Sequence, residues 1–158
     1  MPRNPFQVLV YIARQTSSGD YEYLLMRRAR ARGGFWQGVT GGVEVGETDE
    51  QAARREVWEE TGYAEFLSFM PLNYRYTIAV DHEAWPGLYA PEVETVPEEC
   101  FGAEVRPDLG EPRIDRDEHD EYRWVPLAEA LALLKYPENQ EALRRFAERQ
   151  ERGRGNPQ

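Results

Sequence analysis

Cysteine and lysine are almost missing from this chain. A single cysteine, Cys100, among 158 residues excludes a disulfide within the chain and fits a reducing compartment, so the expected location is the cytoplasm. Lys135 is the only lysine, and arginine carries nearly all the positive charge. No apolar run approaches the length needed to span a bilayer. The apolar stretch near the N-terminus is too short for a signal peptide and reads as a first strand. Positive charge as a whole is in deficit, with a formal net charge of -10. That deficit argues against a duplex or long RNA partner, because neutralising a phosphate backbone needs a basic face. A small phosphorylated molecule stays compatible if a cation offsets the local repulsion.

What remains is enough for a core: 41% of residues are apolar and 12% aromatic. One domain is expected over residues 1–152, with a frayed tail at 153–158. Phe6 to Ala13 is apolar and β-rich, and Tyr21 to Arg27 reads as its hairpin partner across the Thr16 to Asp20 turn. Arg28 to Gly34 is a basic loop, and Phe35 to Thr40 is expected as one short strand. Thr48 or Asp49 caps a helix that runs to about Thr61, with Gln51 as the capping-box partner of Thr48 and Gly62 as the stop. One or two strands are expected in Ala64 to Val80, a loop in Asp81 to Pro91, and strands within Cys100 to Val105 and Tyr122 to Val125. Helices follow over Pro126 to Leu134 and from Pro137 to about Gln150, the last with Leu143 and Phe146 inward. This order of elements indicates an α/β or α+β fold.

The most informative run is Gly41 to Tyr63. Glu56, Glu59 and Glu60 stand at i, i+3 and i+4, so their carboxylates share one helix face. Like charges at that spacing repel. Such a helix is either well solvated or holding a cation, and carboxylate oxygens are the ligands Mg²⁺ prefers.

Gly41, Glu47, Arg55, Glu56, Glu59, Glu60 and Gly62 keep the spacing that resembles the signature of the Nudix hydrolases, which cleave a nucleoside diphosphate linked to another group. The departure is Tyr63, at a position that is usually aliphatic. The resemblance implies a mixed sheet sandwiched between helices. It implies Mg²⁺, or Mn²⁺ in its place, held by Glu56 and Glu60, with Glu59 direct or through water and a backbone carbonyl near Gly41. It also implies that Arg55 pairs with Glu47 and fastens the loop to the helix; direct phosphate contact is the alternative for Arg55. The catalytic base stays open between the helix, Glu56 or Glu59, and a later loop, where Glu118 is the first candidate and Glu121 the second. His82 and His119 read more readily as solvated loop residues than as catalysts.

Shorter motifs outside the run are similar to the branch of the family that acts on dihydroneopterin triphosphate. They include Leu25 to Arg28, Phe35 to Gly41, Tyr89 to Pro91, Glu118-His119 and Tyr122 to Trp124. By that resemblance Arg27 and Thr40 hold substrate and Glu118 joins the metal ligands. Trp36, Tyr74, Tyr76, Trp85 and Tyr89 could stack on a ring or simply pack the core, and Trp85 is the one expected to be most exposed. Arg27, Arg28, Arg30 and Arg32 form a basic cluster suited to a triphosphate or to plain solvation. The Ala79 to Leu88 segment matches poorly.

The function implied is Mg²⁺-dependent cleavage of a nucleoside or pterin triphosphate, dihydroneopterin triphosphate or dATP-like, to the monophosphate and pyrophosphate. Hydrolysis of another diphosphate, such as ADP-ribose, a dinucleoside polyphosphate or an oxidised nucleotide, is the alternative within the enzyme class. A non-catalytic nucleotide sensor is the alternative outside it. The expected partner is a phosphorylated small molecule, with no membrane, and the chain a monomer or homodimer.

Overall fold

The first strand is apolar on both of its faces, and the architecture follows from that. In the computed structural model, which describes residues 2–154, β1 (Gln7–Gln15) lies at the centre of a seven-stranded mixed sheet. Val8, Val10 and Ile12 point to one layer, where Ala52, Ala53 and Val57 of α1 (Asp49–Thr61) pack on them. Leu9, Tyr11 and Ala13 point to the other, against Ala142, Leu143 and Phe146 of α3 (Pro137–Arg154). Side chains alternate along a strand, so a strand covered on both faces reads as an unbroken apolar run.

β2 (Tyr21–Arg28) returns antiparallel to β1 from Ile12 to Gln15. The segment expected as a single strand after the basic loop is two. β3 (Trp36–Gln37) pairs with β2, and β4 (Val39–Gly42) pairs with the first half of β1. The chain changes partner at Gly38, where a Cβ would lie 2.7 Å from the Val10 carbonyl oxygen and 3.0 Å from the Tyr11 ring. Only glycine lets the two backbones come that close. The sheet therefore splits at β1, and β4 carries Gly41 and Gly42 to the start of α1.

β5 (Ser68–Ala79) is one long strand with an irregularity between Pro71 and Arg75, where Asn73 has φ of 54°. Asparagine tolerates that left-handed geometry better than most residues. β6 (Thr95–Glu104) pairs antiparallel with β5 and parallel with β1. It begins before the expected Cys100, because Pro97, Glu98 and Glu99 sit inside a strand that their residue types disguise. β7 (His119–Val125) likewise starts earlier than Tyr122 and pairs with β2. α2 (Leu127–Leu133) follows Pro126, and the Asp81 to Pro91 segment is a loop, as expected. α3 continues through Arg154, beyond the expected end near Gln150 and into the first two residues of the expected tail; residues 155–158 of that tail lie outside the described residues.

A Cβ on Gly102 of β6 would run into the ring of the fully buried Phe146. Gly102→Ala is therefore predicted to lower stability by about 1–3 kcal/mol through overpacking. Adding Phe146→Leu should recover part of that loss. Urea unfolding midpoints check both; an unchanged midpoint for the single variant would show that this layer has room to spare.

Candidate active site

Local sequence builds the helix that carries the site. The Thr48 hydroxyl accepts from the Gln51 amide at 3.1 Å, and the Gln51 side chain accepts from the Thr48 amide at 2.9 Å. This reciprocal box, with Asp49 and Glu50 in the first turn, suits the positive end of a helix. Gly62, with φ of 82°, ends the helix in a left-handed conformation.

Arg55 joins the helix to the loop before it. Its guanidinium donates to both Glu47 oxygens, at 2.7 and 3.0 Å, and to the Gly42 carbonyl at 2.8 Å. Its Nη1 donates to Glu56 at 2.9 Å and reaches Glu59 at 3.3 Å. The planar fork suits this task better than a lysine would. The guanidinium holds the Glu47 carboxyl below the usual range, and the carboxylates push Arg55 further up. Glu47 also accepts from the Glu44 amide at 2.8 Å, which closes the loop on itself.

Glu56 and Glu60 converge beneath this clamp. Both are buried, and burial is the leading cause that pushes both carboxyls up. For Glu60 the neighbouring Glu56 and then Glu118 push the same way, and Arg28 only partly offsets them. Gly41 makes room for the pair, since a Cβ there would overlap the Glu56 carboxylate. The Oε1 atom of Glu60 is buried without a hydrogen-bond partner. A buried carboxylate oxygen in that state is costly, and a hard cation with oxygen ligands is a group that suits it. The donor set therefore fits a divalent ion at Glu56 and Glu60.

The other expected ligands stand further out. Glu59 is turned toward Arg55 and is about half exposed. Glu118 is half-buried in the turn before β7, near enough to act on the charge of Glu60. Among the described residues no three acidic, histidine or cysteine side chains lie close enough together to cage an ion. Arg55 supplies the countercharge that draws Glu59 aside.

His119 departs from its expected place. Far from being a solvated loop residue, it opens β7, paired with Arg28, and is 2% exposed. Its Nε2 lies 3.3 Å from the Gln37 amide nitrogen and 4.0 Å from Glu60 Oε1. Burial first, then Arg28 and Arg32, push its pKa down to about 4, so the ring is neutral near pH 7. Arg28 is half-buried beside it with an unpartnered Nε. Strand pairing draws both residues inward.

Arg27 lies one position away, on the opposite face of β2. It donates to Asp120 at 2.8 Å and lies 3.5 Å from Glu121. Its guanidinium stands 5.8 Å from the Trp36 ring centre, and that of Arg123 stands at 4.8 Å. Glu121, the second candidate base, is engaged by Arg27 and Arg123. Thr40 is half-buried on β4 opposite Leu9. His82 is exposed, with Nε2 2.8 Å from the Val93 carbonyl oxygen, and Trp85 is 39% exposed. Tyr89 is buried, and its hydroxyl donates to Gln7 at 3.3 Å.

One basic residue escaped the sequence reading. Arg3 lines a shallow cavity of about 290 Å³ with Gly42, Glu44, Arg55 and Glu56. Its guanidinium lies over Gly42, where a Cβ would otherwise sit. A lone arginine ahead of the first strand of an acidic chain was the available signal.

Comparison with known proteins agrees with this geometry. A family profile described as the NUDIX domain matches residues 5–146. The chain is 35% identical over 161 aligned positions to dihydroneopterin triphosphate diphosphatase of Escherichia coli, covering 91% of this chain and 93% of that protein. It is 38% identical over 122 residues to a Myxococcus xanthus protein named octanoyltransferase; that match covers 77% of this chain, which spans only 31% of that protein. The solved structure of the E. coli dihydroneopterin triphosphate pyrophosphohydrolase superposes with a TM-score of 0.76 at 29% identity, over 94% of this chain and 99% of that one.

If Arg55 is the clamp, Arg55→Gln will release the loop it holds. Hydrogen exchange should quicken at residues 43–48 while β1 and β6 keep their protection. Unchanged exchange in the loop would remove Arg55 from that role.

Proposed function

The chain belongs to the Nudix family of pyrophosphohydrolases, and on that premise we propose that it is a Mg²⁺-dependent enzyme cleaving a nucleoside or pterin triphosphate, of the dihydroneopterin triphosphate or dATP kind, to the monophosphate and pyrophosphate. Residues 1–152 form its catalytic domain, and it works in the cytoplasm. The observation that carries the reading is the buried Glu56–Glu60 pair, fitted against Gly41 with one carboxylate oxygen unpartnered. The match to the E. coli protein along nearly the whole chain supports the substrate class.

In this reading Glu56, Glu60 and the Gly41 carbonyl would hold the ion, with Glu59 and Glu118 supporting it directly or through water. Bound there, Mg²⁺ supplies neutralisation of the phosphate oxygens and a more acidic water. Arg55 keeps Glu56 aimed and the loop closed. Arg3, Arg27 and Thr40 would contact the polyphosphate and sugar, and Trp36 would offer a ring face. Arg28 sits deeper, where it tempers the charge of Glu60. A water oxygen attacks one phosphorus of the α–β linkage as Glu118 or Glu59 accepts its proton. The bond from that phosphorus to the bridging oxygen breaks, and the monophosphate and pyrophosphate separate, the bridging oxygen staying with the half that was not attacked. A sensor would have no use for a buried carboxylate pair of this kind.

Glu60→Gln is the direct test. Turnover of triphosphates should fall by about two orders of magnitude or more, and Mn²⁺ binding followed by electron paramagnetic resonance should weaken. The melting temperature should hold or rise, since a buried like-charge pair is relieved. Turnover near the wild-type level would sink the metal assignment.

A further inference from the structure

One buried acid lies outside the candidate active site. Glu98 of β6 is 2% exposed and lies across the sheet from α1, in the α3 layer. Strand register places it in a row with three other residues. Gln7 pairs with Gly42 on one side and with Glu98 on the other, and Glu98 pairs with Tyr76. The row thus runs Gly42, Gln7, Glu98, Tyr76. At ordinary strand spacing Glu98 lies about 10 Å from Gly42. Gly42 is the residue that Arg3 covers, and Arg55 is bonded to its carbonyl. The row therefore starts at the phosphate end of the site and leads away from it by roughly the length of a sugar and a ring.

The bonding at Glu98 is polar on every side. Gln7 donates to Oε2 at 2.8 Å, and the Tyr76 hydroxyl donates to Oε1 at 2.8 Å. Asn139 at the start of α3 donates to the Tyr76 oxygen at 2.7 Å. Tyr89, from the end of the Asp81 to Pro91 loop, bonds into the row through the carboxamide oxygen of Gln7. Among the described residues no arginine, lysine or histidine forms an ion pair with Glu98. Burial pushes its carboxyl up to about 7 in spite of the two donated bonds. A neutral glutamine could fill the same space and bond both neighbours. Keeping an acid here is costly unless something else donates to it. Each oxygen still has a free lone pair.

We propose that Glu98 is the residue that reads the substrate ring, selecting one with two adjacent N–H donors, the 2-amino-4-oxopyrimidine edge shared by pterin and guanine. This rests on the reading of the chain as a triphosphate pyrophosphohydrolase. Two neighbouring N–H groups meet the two carboxylate oxygens side by side, as a guanidinium does. An adenine edge offers one N–H beside a ring nitrogen acceptor, which faces the second oxygen lone pair to lone pair. The ring would take the place of the Tyr89 contact on Gln7, entering under a loop that is otherwise largely exposed.

The test compares substrates that differ by one donor. Hypoxanthine is guanine without the 2-amino group. Wild-type kcat/KM should favour dGTP over dITP by about tenfold to a hundredfold, and Glu98→Gln should bring that ratio close to one. Dihydroneopterin triphosphate should lose as much as dGTP in the variant, and dATP should change little. A purely structural role would lower all four alike and leave the ratio intact, which would overturn the proposal. So would a wild-type ratio near one. Calorimetric binding of dGMP and dIMP without metal gives the same ratio independently of turnover. If no triphosphate is hydrolysed, the proposed function fails, and this binding ratio still decides the role of Glu98.

Discussion

A helix face bearing three glutamates repels itself, and the Arg55 guanidinium is the group that holds this one together. It spends its donors on Glu47, the Gly42 carbonyl, Glu56 and Glu59. Loop, strand β4 and helix α1 thereby become one unit. Within that unit the two most buried carboxylates, Glu56 and Glu60, are pressed toward Gly41, a position with no room for a side chain. The arrangement stores unfavourable charge that a divalent ion would relieve. Stability and activity therefore pull in opposite directions here, a common cost at catalytic sites.

The sheet explains how the site can be both tight and open. β1 is covered on both faces, so it is fixed; the Gly38 switch lets the chain leave β2 after β3 and pair with β1 as β4. The two halves of the sheet part at that point. On the α1 side lie the paired carboxylates, with the buried His119 and the half-buried Arg28 beside them. On the other face lie Arg27, Trp36, Thr40 and the row that ends at Tyr76. In the proposed reading the first face does the chemistry and the second chooses the substrate.

Features written in local spacing were legible in the sequence. The capping box at Thr48 and Gln51, the stop at Gly62, the shared face of the glutamates and the buried first strand each depend on residues a few positions apart. Features written in strand register were not. The strand expected from Cys100 onward begins earlier, at Thr95, because the pairing of Pro97, Glu98 and Glu99 with β1 and β5 overrides their own preferences. His119 looked solvated among charged neighbours, and only its pairing opposite Arg28 buries it. Arg3 and Glu98 matter through what lies beside them in space, at Gly42 and Gln7, far from them in the chain.

The reaction proposed for this site is cleavage of a triphosphate between its α and β phosphates with the help of a divalent ion. Phosphorus NMR of the reaction with dihydroneopterin triphosphate and Mg²⁺, repeated with a chelator, tests it most directly. The monophosphate and pyrophosphate are expected as the initial products, and no reaction once the ion is removed. Orthophosphate released alone, or cleavage that continues in the chelator, would contradict it.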